Sequence, residues 1–385
     1  MQQCFPLSHT AGGLMLLAAG LGVPDRAPAD LIATPPPGWH EMEEEGPPAL
    51  GSPAMVWDPV RERVLLVGRD LDEWTLETWE LDGSDWEKME PENSPSGRAD
   101  HAMVFDHVRE TVLLFGGREQ NGNHPDSLWE WDGEDWSLID GGAAPPGRSS
   151  HAMASDSARN RVLVFGGTGN DEKIFSGGTW EWDGTQWHEI NAAAPGERFS
   201  HAMAFDTVRG EVVMYGGFDG QRLDDTWTWD GSEWSELDTT GPPERSDHAM
   251  VWDAERGRIV LFGGQGGGTT RSDTWEWDGS AWEEIDKTGP SGRVRHGMAW
   301  DGTHGRTVLF GGTLLSPLDD AWVYFGEEVP DIPPDARARG DFDNDGCTGF
   351  QDFTFLLENW GVEFDGEPLG FPDFTALLEH WGEGC

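Results

Sequence analysis

The sequence predicts an all-β chain folded as a six-bladed β-propeller, closed by an N-terminal outer strand and followed by a small α-helical calcium-loop module. Three observations predict the ring. The tripeptide His-Ala-Met recurs at His101, His151, His201 and His248, with the variant His296-Gly-Met, at steps of 50, 50, 47 and 48 residues. Each copy contains four short apolar runs separated by turn residues, and a four-stranded unit of that period is one propeller blade. The sixth copy lacks a fourth run, and an unpaired run of the same type stands near the start of the chain, at Trp39.

Within a copy, strand one carries His-Ala-Met and strand two ends in a glycine pair, as in Val112 to Phe115 before Gly116-Gly117. The pair returns at Gly166-Gly167, Gly216-Gly217, Gly263-Gly264 and Gly311-Gly312. Strand three holds Trp-x-Trp, for example Trp180 and Trp182, which lie on one side of a strand because they are two apart. That spacing places the tryptophans in the core between blades rather than on a sugar platform. Asp183-Gly184 is a hairpin signal leading to Trp187, the start of strand four. The run Trp39-His40-Glu41-Met42 matches Trp187-His188-Glu189-Ile190. Pairing it with Trp322-Val323-Tyr324-Phe325 completes the last blade and removes an open sheet edge.

These residues resemble the kelch repeat, with Arg-x-x-His before strand one, the double glycine and the spaced aromatics, over residues 39–325. The first copy departs: Leu50 and Pro53 replace Arg and His, and Gly68-Arg69 replaces the glycine pair. The domain layout is a signal peptide over residues 1–29, the kelch-type propeller over 38–326, a Pro-rich linker over 327–339 and the C-terminal module over 340–385. The leader is read from the apolar residues 11–23 and the Ala27-Pro28-Ala29 cleavage pattern, although no Lys or Arg precedes the apolar stretch. The expected location is secreted, cell-surface or periplasmic, with no membrane span after processing.

The chain carries 25 Lys+Arg against 72 Asp+Glu, a formal net charge of -47. That balance argues against nucleic acid and anionic membranes, whose phosphates need cationic partners. It suits calcium. Asp341, Asp343 and Asp345, then Gly346, the carbonyl of Cys347 and Asp352 hold positions 1, 3, 5, 6, 7 and 12 of an EF-hand loop. Asp352 in place of Glu resembles the dockerin type. A second helix-like run at Asp373 has no matching loop, so one Ca2+ site is expected. The resemblance to dockerins, over residues 340–385, implies a cohesin-like partner; a calcium-stapled cap is the alternative. Cys347 and Cys385 form either a disulfide or two free thiols.

In an up-and-down blade, the loops entering strand one and those after the double glycine share a face. That face gathers Arg98, Arg148, Arg198, Arg245 and Arg293. It also gathers Arg118, Asn121, Asn123, His124, Asp171, Lys173, Asp219, Gln221, Arg222 and Arg271. Variable loops on a rigid frame are where recognition concentrates. The kelch resemblance implies partner peptides or sugars here, and arginines on an acidic protein suit a carboxylate-bearing ligand. Identical residues in every blade more often hold blades together, which applies to the Arg-x-x-His arginines and to the five histidines. Pairs such as Asp106/Arg109 and Asp206/Arg209 read as salt bridges in the strand one–two turns. The function expected is therefore a non-enzymatic binding protein. The alternative is a glycan-active enzyme such as a sugar epimerase, marked by acids unique to one or two blades converging on the channel. The copper radical oxidases resemble this fold and need two tyrosines and two histidines as ligands; here Tyr215 precedes a blade glycine pair, Tyr324 sits in a third strand and no cysteine lies in the propeller, so that chemistry is excluded.

Overall fold

The structure is a computed structural model that describes residues 35–43, 46–170, 178–192, 195–285 and 288–327, with the backbone of a strand pair, Glu363–Phe364 and Glu367–Pro368. Six four-stranded antiparallel sheets form the blades. We letter the strands of each blade a to d, from the inside out. Strands a are Gly51–Asp58, Ala102–Asp106, Ala152–Asp156, Ala202–Asp206, Ala249–Asp253 and Gly297–Asp301. Strands b are Arg63–Arg69, Thr111–Phe115, Arg161–Phe165, Glu211–Tyr215, Arg258–Phe262 and Arg306–Phe310. Strands c are Leu76–Asp82, Leu128–Trp131, Thr179–Trp182, Thr226–Trp229, Thr274–Trp277 and Ala321–Phe325. Strands d are Asp85–Met89, Trp136–Ile139, Trp187–Ile190, Trp234–Leu237, Trp282–Ile285 and, for the sixth blade, Gly38–Glu41. Neighbouring a strands adjoin around the centre, and the sixth meets the first.

Strand b is apolar on both sides because blades cover both its faces: Val112, Leu113, Leu114 and Phe115 are all fully buried. Each strand a ends on a buried aspartate that holds the a–b turn. Asp206 Oδ1 accepts the N–H groups of Val208 at 3.0 Å and Arg209 at 2.9 Å. The expected pair Asp206/Arg209 forms, at 2.9 Å. The pair Asp106/Arg109 does not. Arg109 turns to Glu130 on strand c at 2.6 Å, and Asp106 Oδ2 instead accepts the indole N–H of Trp182 in the next blade at 2.9 Å. An acid at that strand-c position is not sufficient by itself: Arg61 and Arg159, in blades with Glu80 and Glu181 there, keep their pairs with Asp58 and Asp156, and Arg256 meets both Asp253 and Glu276. Several of these turn arginines also link blades. Arg61 donates to the carbonyl of Asp132, Arg159 to Gly210, Arg209 to Asp278 and Arg306 to Gly83, the last crossing from blade six to blade one.

The N-terminal strand closes the ring. Gly38, Trp39, His40 and Glu41 pair in antiparallel register with Phe325, Tyr324, Val323 and Trp322. Trp39 packs on Phe262 and Tyr324, each at 5.1 Å between ring centres, within a core shared with blade five. Its indole donates to Thr274 Oγ1 at 2.9 Å.

That bond follows a rule of the whole ring, in which the first tryptophan of a strand d donates to a strand-c threonine of the preceding blade. Trp136 reaches Thr78, Trp234 reaches Thr179, and Trp282 reaches Thr226, each at 3.0 Å. Leu128 and Ala321 stand at the threonine position in blades two and six. The indole N–H groups that would meet them, on Trp187 and Trp86, are buried with no partner among the described residues. Ala321→Thr is expected to supply the missing acceptor to Trp86 and raise stability by about 1 kcal/mol, read as a higher denaturant midpoint at unchanged slope. An unchanged or lower midpoint would show that the indole is already satisfied.

No α-helix occurs among the described residues. Of the predicted helical calcium module only the strand pair Glu363–Phe364 and Glu367–Pro368 is described; its ligands Asp341, Asp343, Asp345, Cys347 and Asp352 and the pair Cys347 and Cys385 lie outside the described residues. So does the proposed leader.

Candidate functional site

The shared arginine and the double glycine are one device. In blades two to six the guanidinium of Arg98, Arg148, Arg198, Arg245 or Arg293 donates to the carbonyl of the first glycine of its own blade, at 2.9–3.0 Å. Each arginine is buried, with at most 3% exposed. Between adjacent blades, the second glycine's N–H meets the next blade's arginine carbonyl, as in Gly217 to Arg245 at 2.9 Å. Both glycines have positive φ, 61° and 101° at Gly216 and Gly217, and a Cβ on Gly216 would lie 2.8 Å from that carbonyl oxygen. Blade one, without the arginine, buries Leu50 against Gly68 in the same space.

Three of these arginines add a carboxylate from the residue before strand c. Arg198 meets Asp225 at 2.7 Å, Arg245 meets Asp273 at 2.7 Å, and Arg293 meets Asp320 at 2.6 Å. Burial pushes the Asp273 carboxyl up, but its bonds from Arg245 and Trp275 outweigh this and leave it below the usual carboxylate value. Asp225 and Asp320 are lowered in the same way. Arg98, which has Ser127 in place of a carboxylate, is held down to about 10 by burial. The five guanidiniums are turned into the frame.

The loops entering strand a and those after the glycines do share one face. Arg98–Ala99 pairs with Arg118–Glu119, and Arg148–Ser149 pairs with Thr168–Gly169. Single bridges join Phe199 to Phe218, Ser246 to Gln265 and Val294 to Thr313. Of the loop arginines expected there, Arg118 is exposed and Arg222 and Arg271 are half-buried. Arg222 donates to Gln265 Oε1 at 2.6 Å and lies 6.0 Å from the ring centre of Phe218, which packs at a tilt on Phe199, 5.4 Å between ring centres. Arg271 stands 4.0 Å from Glu244. The Nε atoms of Arg222 and Arg271 are buried without a hydrogen bond among the described residues. His124 is buried, and its N–H is bonded to Asn170 at 2.7 Å. Asp171 and Lys173 lie outside the described residues.

A second set of residues on this face is a finding of the structure. The residue before each channel histidine, with its counterpart Ser52 in blade one, has positive φ: Ser52 49°, Asp100 56°, Ser150 54°, Ser200 54°, Asp247 59° and Arg295 55°. In blades three to six the turn aims the N–H at the preceding blade's carbonyl. Ser150 bonds Asp100, Ser200 bonds Ser150, Asp247 bonds Ser200 and Arg295 bonds Asp247, at 2.8–3.0 Å. Together they rim the channel mouth, a cavity of about 140 Å³ floored by His101, His151, His201, His248 and His296. Arg295 Nε lies 3.2 Å from Asp247 Oδ1 and 3.8 Å from Asp100 Oδ1. Ser52 donates to Asp100 at 2.8 Å, and Ser200 and Ser246 donate to Asp247 at 3.0 and 2.9 Å. The signal was present in the sequence as the one variable position beside an invariant histidine.

Four of the five histidines, His151, His201, His248 and His296, pack edge-on against the aromatic last residue of strand b in the preceding blade, as His151 does on Phe115 at 5.5 Å. Burial, with the neighbouring arginines, holds His101, His201 and His296 down to about 3, so their rings are neutral at neutral pH. The described residues contain no group of three or more His, Cys, Asp or Glu arranged to hold a metal ion. Both tyrosines are buried, Tyr324 donating to Glu276 at 2.7 Å and Tyr215 to the Pro242 carbonyl. Among the described residues no helix is long and apolar enough to cross a membrane.

A closed ring of repeated blades, with variable loops gathered on one face, defines a propeller of the protein-interaction scaffold class. Residues 67–241 and 170–327 match the family described as the KLHDC2/KLHL20/DRC7 Kelch-repeats domain, and the chain belongs to that family. The search of curated proteins returned no match.

Proposed function

We propose that the propeller is an exported, non-enzymatic recognition module whose loop face binds an acid-bearing segment of a protein partner. One observation supports this most: Arg222, beside the Phe199–Phe218 pair, and Arg271, on the adjacent blade, keep buried Nε donors unbonded among the described residues of a chain with net charge -47. Guanidiniums beside aromatic surface suit carboxylates on a peptide, and such charged contacts weaken with salt. A peptide display screen, run beside a glycan array, should enrich acidic peptides. Arg222→Gln with Arg271→Gln should weaken their binding by about tenfold or more, equivalent to about 1.4 kcal/mol. Enrichment of glycans alone, or equal binding by the double variant, would reject the reading.

A second reading, catalysis at the channel, is favoured by Asp100 and Asp247, which are unique to two blades and converge at the mouth. Both carboxylates already accept from Arg295 or serine side chains, which favours binding over proton transfer. Turnover of any glycan that disappears in Asp247→Asn would establish the enzymatic reading.

For the C-terminal segment we propose one calcium ion, supported by the loop spacing alone, in a module that caps the chain or docks it to a cohesin-like partner. Asp345→Ala should abolish calcium-dependent stabilisation of that module in the full chain. Melting that is insensitive to chelator in the unmutated protein would reject the site.

A further inference from the structure

The face opposite the recognition loops carries the a–b and c–d turns, and the propeller both begins and ends on it. Strand Gly38–Glu41 starts there and strand Ala321–Phe325 ends there, where the other blades have a c–d turn. Gly326 still follows the frame. A Cβ on it would strike the Arg256 guanidinium of blade five, as one on Gly279 would strike Arg209 of blade four. The 58 residues from 328 to 385 therefore leave the ring from the turn face.

That face is not uniformly polar. Two residues after the aspartate that ends strand a, each of blades one to four carries an exposed aliphatic side chain: Val60, Val108, Ala158 and Val208. The three valines are 53, 48 and 40% exposed. Blades five and six have Glu255 and Thr303 at this position, so the frame does not demand an apolar residue there. The four stand on consecutive blades and form a crescent around the turn end of the channel. Trp57, half-buried, extends it over the blade-six turn at Gly302. The arginines that follow, Arg61, Arg109, Arg159 and Arg209, are already paired with Asp58, Glu130, Asp156 and Asp206. A partner is met on the crescent mainly by apolar contact.

A second copy of a chain with net charge -47 is opposed by repulsion between whole molecules. The chain's own C-terminal segment is instead tethered at the edge of the same face, which gives it a roughly millimolar effective concentration there. Residues 328–340, when extended, reach about 40 Å. Strand c of blade six stands only two strand spacings, about 10 Å, from the inner strand. Beyond that reach the segment repeats one apolar stripe, Phe353, Leu356, Leu357 and Trp360, then Phe374, Leu377, Leu378 and Trp381.

We propose that the C-terminal segment, residues 341–385, folds back and docks through these stripes on the crescent of Val60, Val108, Ala158 and Val208, covering the turn end of the channel. The inference rests on the capping reading of that segment, but not on its calcium site.

The test uses the full chain with a benzophenone photo-cross-linker placed at position 108, at position 208 or, on the loop face, at position 315. The first two should form intramolecular adducts with peptides from 341–385, and the third should form none. Val108→Lys combined with Val208→Lys, at a turn position where Glu255 is already charged, should speed amide exchange across 374–381 by about tenfold, with strand Thr111–Phe115 unchanged. The proposal is overturned if positions 108 and 208 give no adduct within 341–385, if their adducts join only separate copies, or if position 315 gives the same yield. Adducts are read apart from the chelator response of melting. Failure of the calcium site would leave the adducts in place, and failure of docking would leave the chelator response in place.

Discussion

Replacing Trp39 with alanine is expected to destabilise the propeller by about 3–5 kcal/mol, the cost of deleting a buried tryptophan. The side chain fills the space between blades five and six, touching Phe262 and Tyr324, and its indole bonds Thr274. The strand that carries it is held to blade six by one ladder, from Gly38 to Glu41. Weakening that ladder frees strand Ala321–Phe325 as an open edge, the usual template for association between chains. Chemical denaturation should therefore show a lower midpoint, and light scattering should rise at denaturant concentrations where the parent is clear. Trp39→Phe keeps most of the packing and loses only the bond to Thr274, so it should cost about 1 kcal/mol. If both variants match the parent, the N-terminal strand does not seal the ring.

Asp273→Ala is expected to cost a similar amount, about 3–5 kcal/mol, because it leaves Arg245 buried without its carboxylate. Adding Arg245→Met should recover part of the loss, since the uncompensated charge leaves with the arginine. The same interaction has an acid signature. Asp225, Asp273 and Asp320 have folded-state values below their unfolded ones. Their contribution is complete above the unfolded aspartate value, about 3.9, and falls away as pH drops through the lower folded values. Stability should decline below about pH 4, and Asp273→Asn should make that decline shallower. Equal acid profiles for the variant and the parent would contradict the assignment.

Much of the ring could be read from residues alone, for a physical reason. Trp182, Phe115 and Gly116-Gly117 recur because each blade solves the same packing problem, and repetition separates such residues from background. The sealing strand was legible because Trp39-His40-Glu41 copies Trp187-His188-Glu189, although its partner lies almost a whole chain away. Arg109 was misplaced because local spacing to Asp106 cannot foresee Glu130 across the sheet. The guanidiniums of Arg98, Arg148, Arg198, Arg245 and Arg293 stand at the right face by topology, yet point inward. Sequence order gives the loop, whereas the carbonyls of Gly116, Gly166, Gly216, Gly263 and Gly311 decide the direction. The rim of Asp100, Asp247 and Arg295 went unread because its members meet only when three separate blades are set around one axis.

The face assignments, the channel mouth and the loop arginines all depend on the ring being sealed by the segment Gly38–Glu41. Amide hydrogen exchange followed by mass spectrometry measures this directly. The account predicts slow exchange at His40 and Met42, whose N–H groups face strand Ala321–Phe325 in one ladder, Met42 donating to the Ala321 carbonyl at 2.9 Å. Exchange of these two amides at the rate of free peptide, with Trp322 and Tyr324 still protected by their pairing to strand Arg306–Phe310, would contradict it.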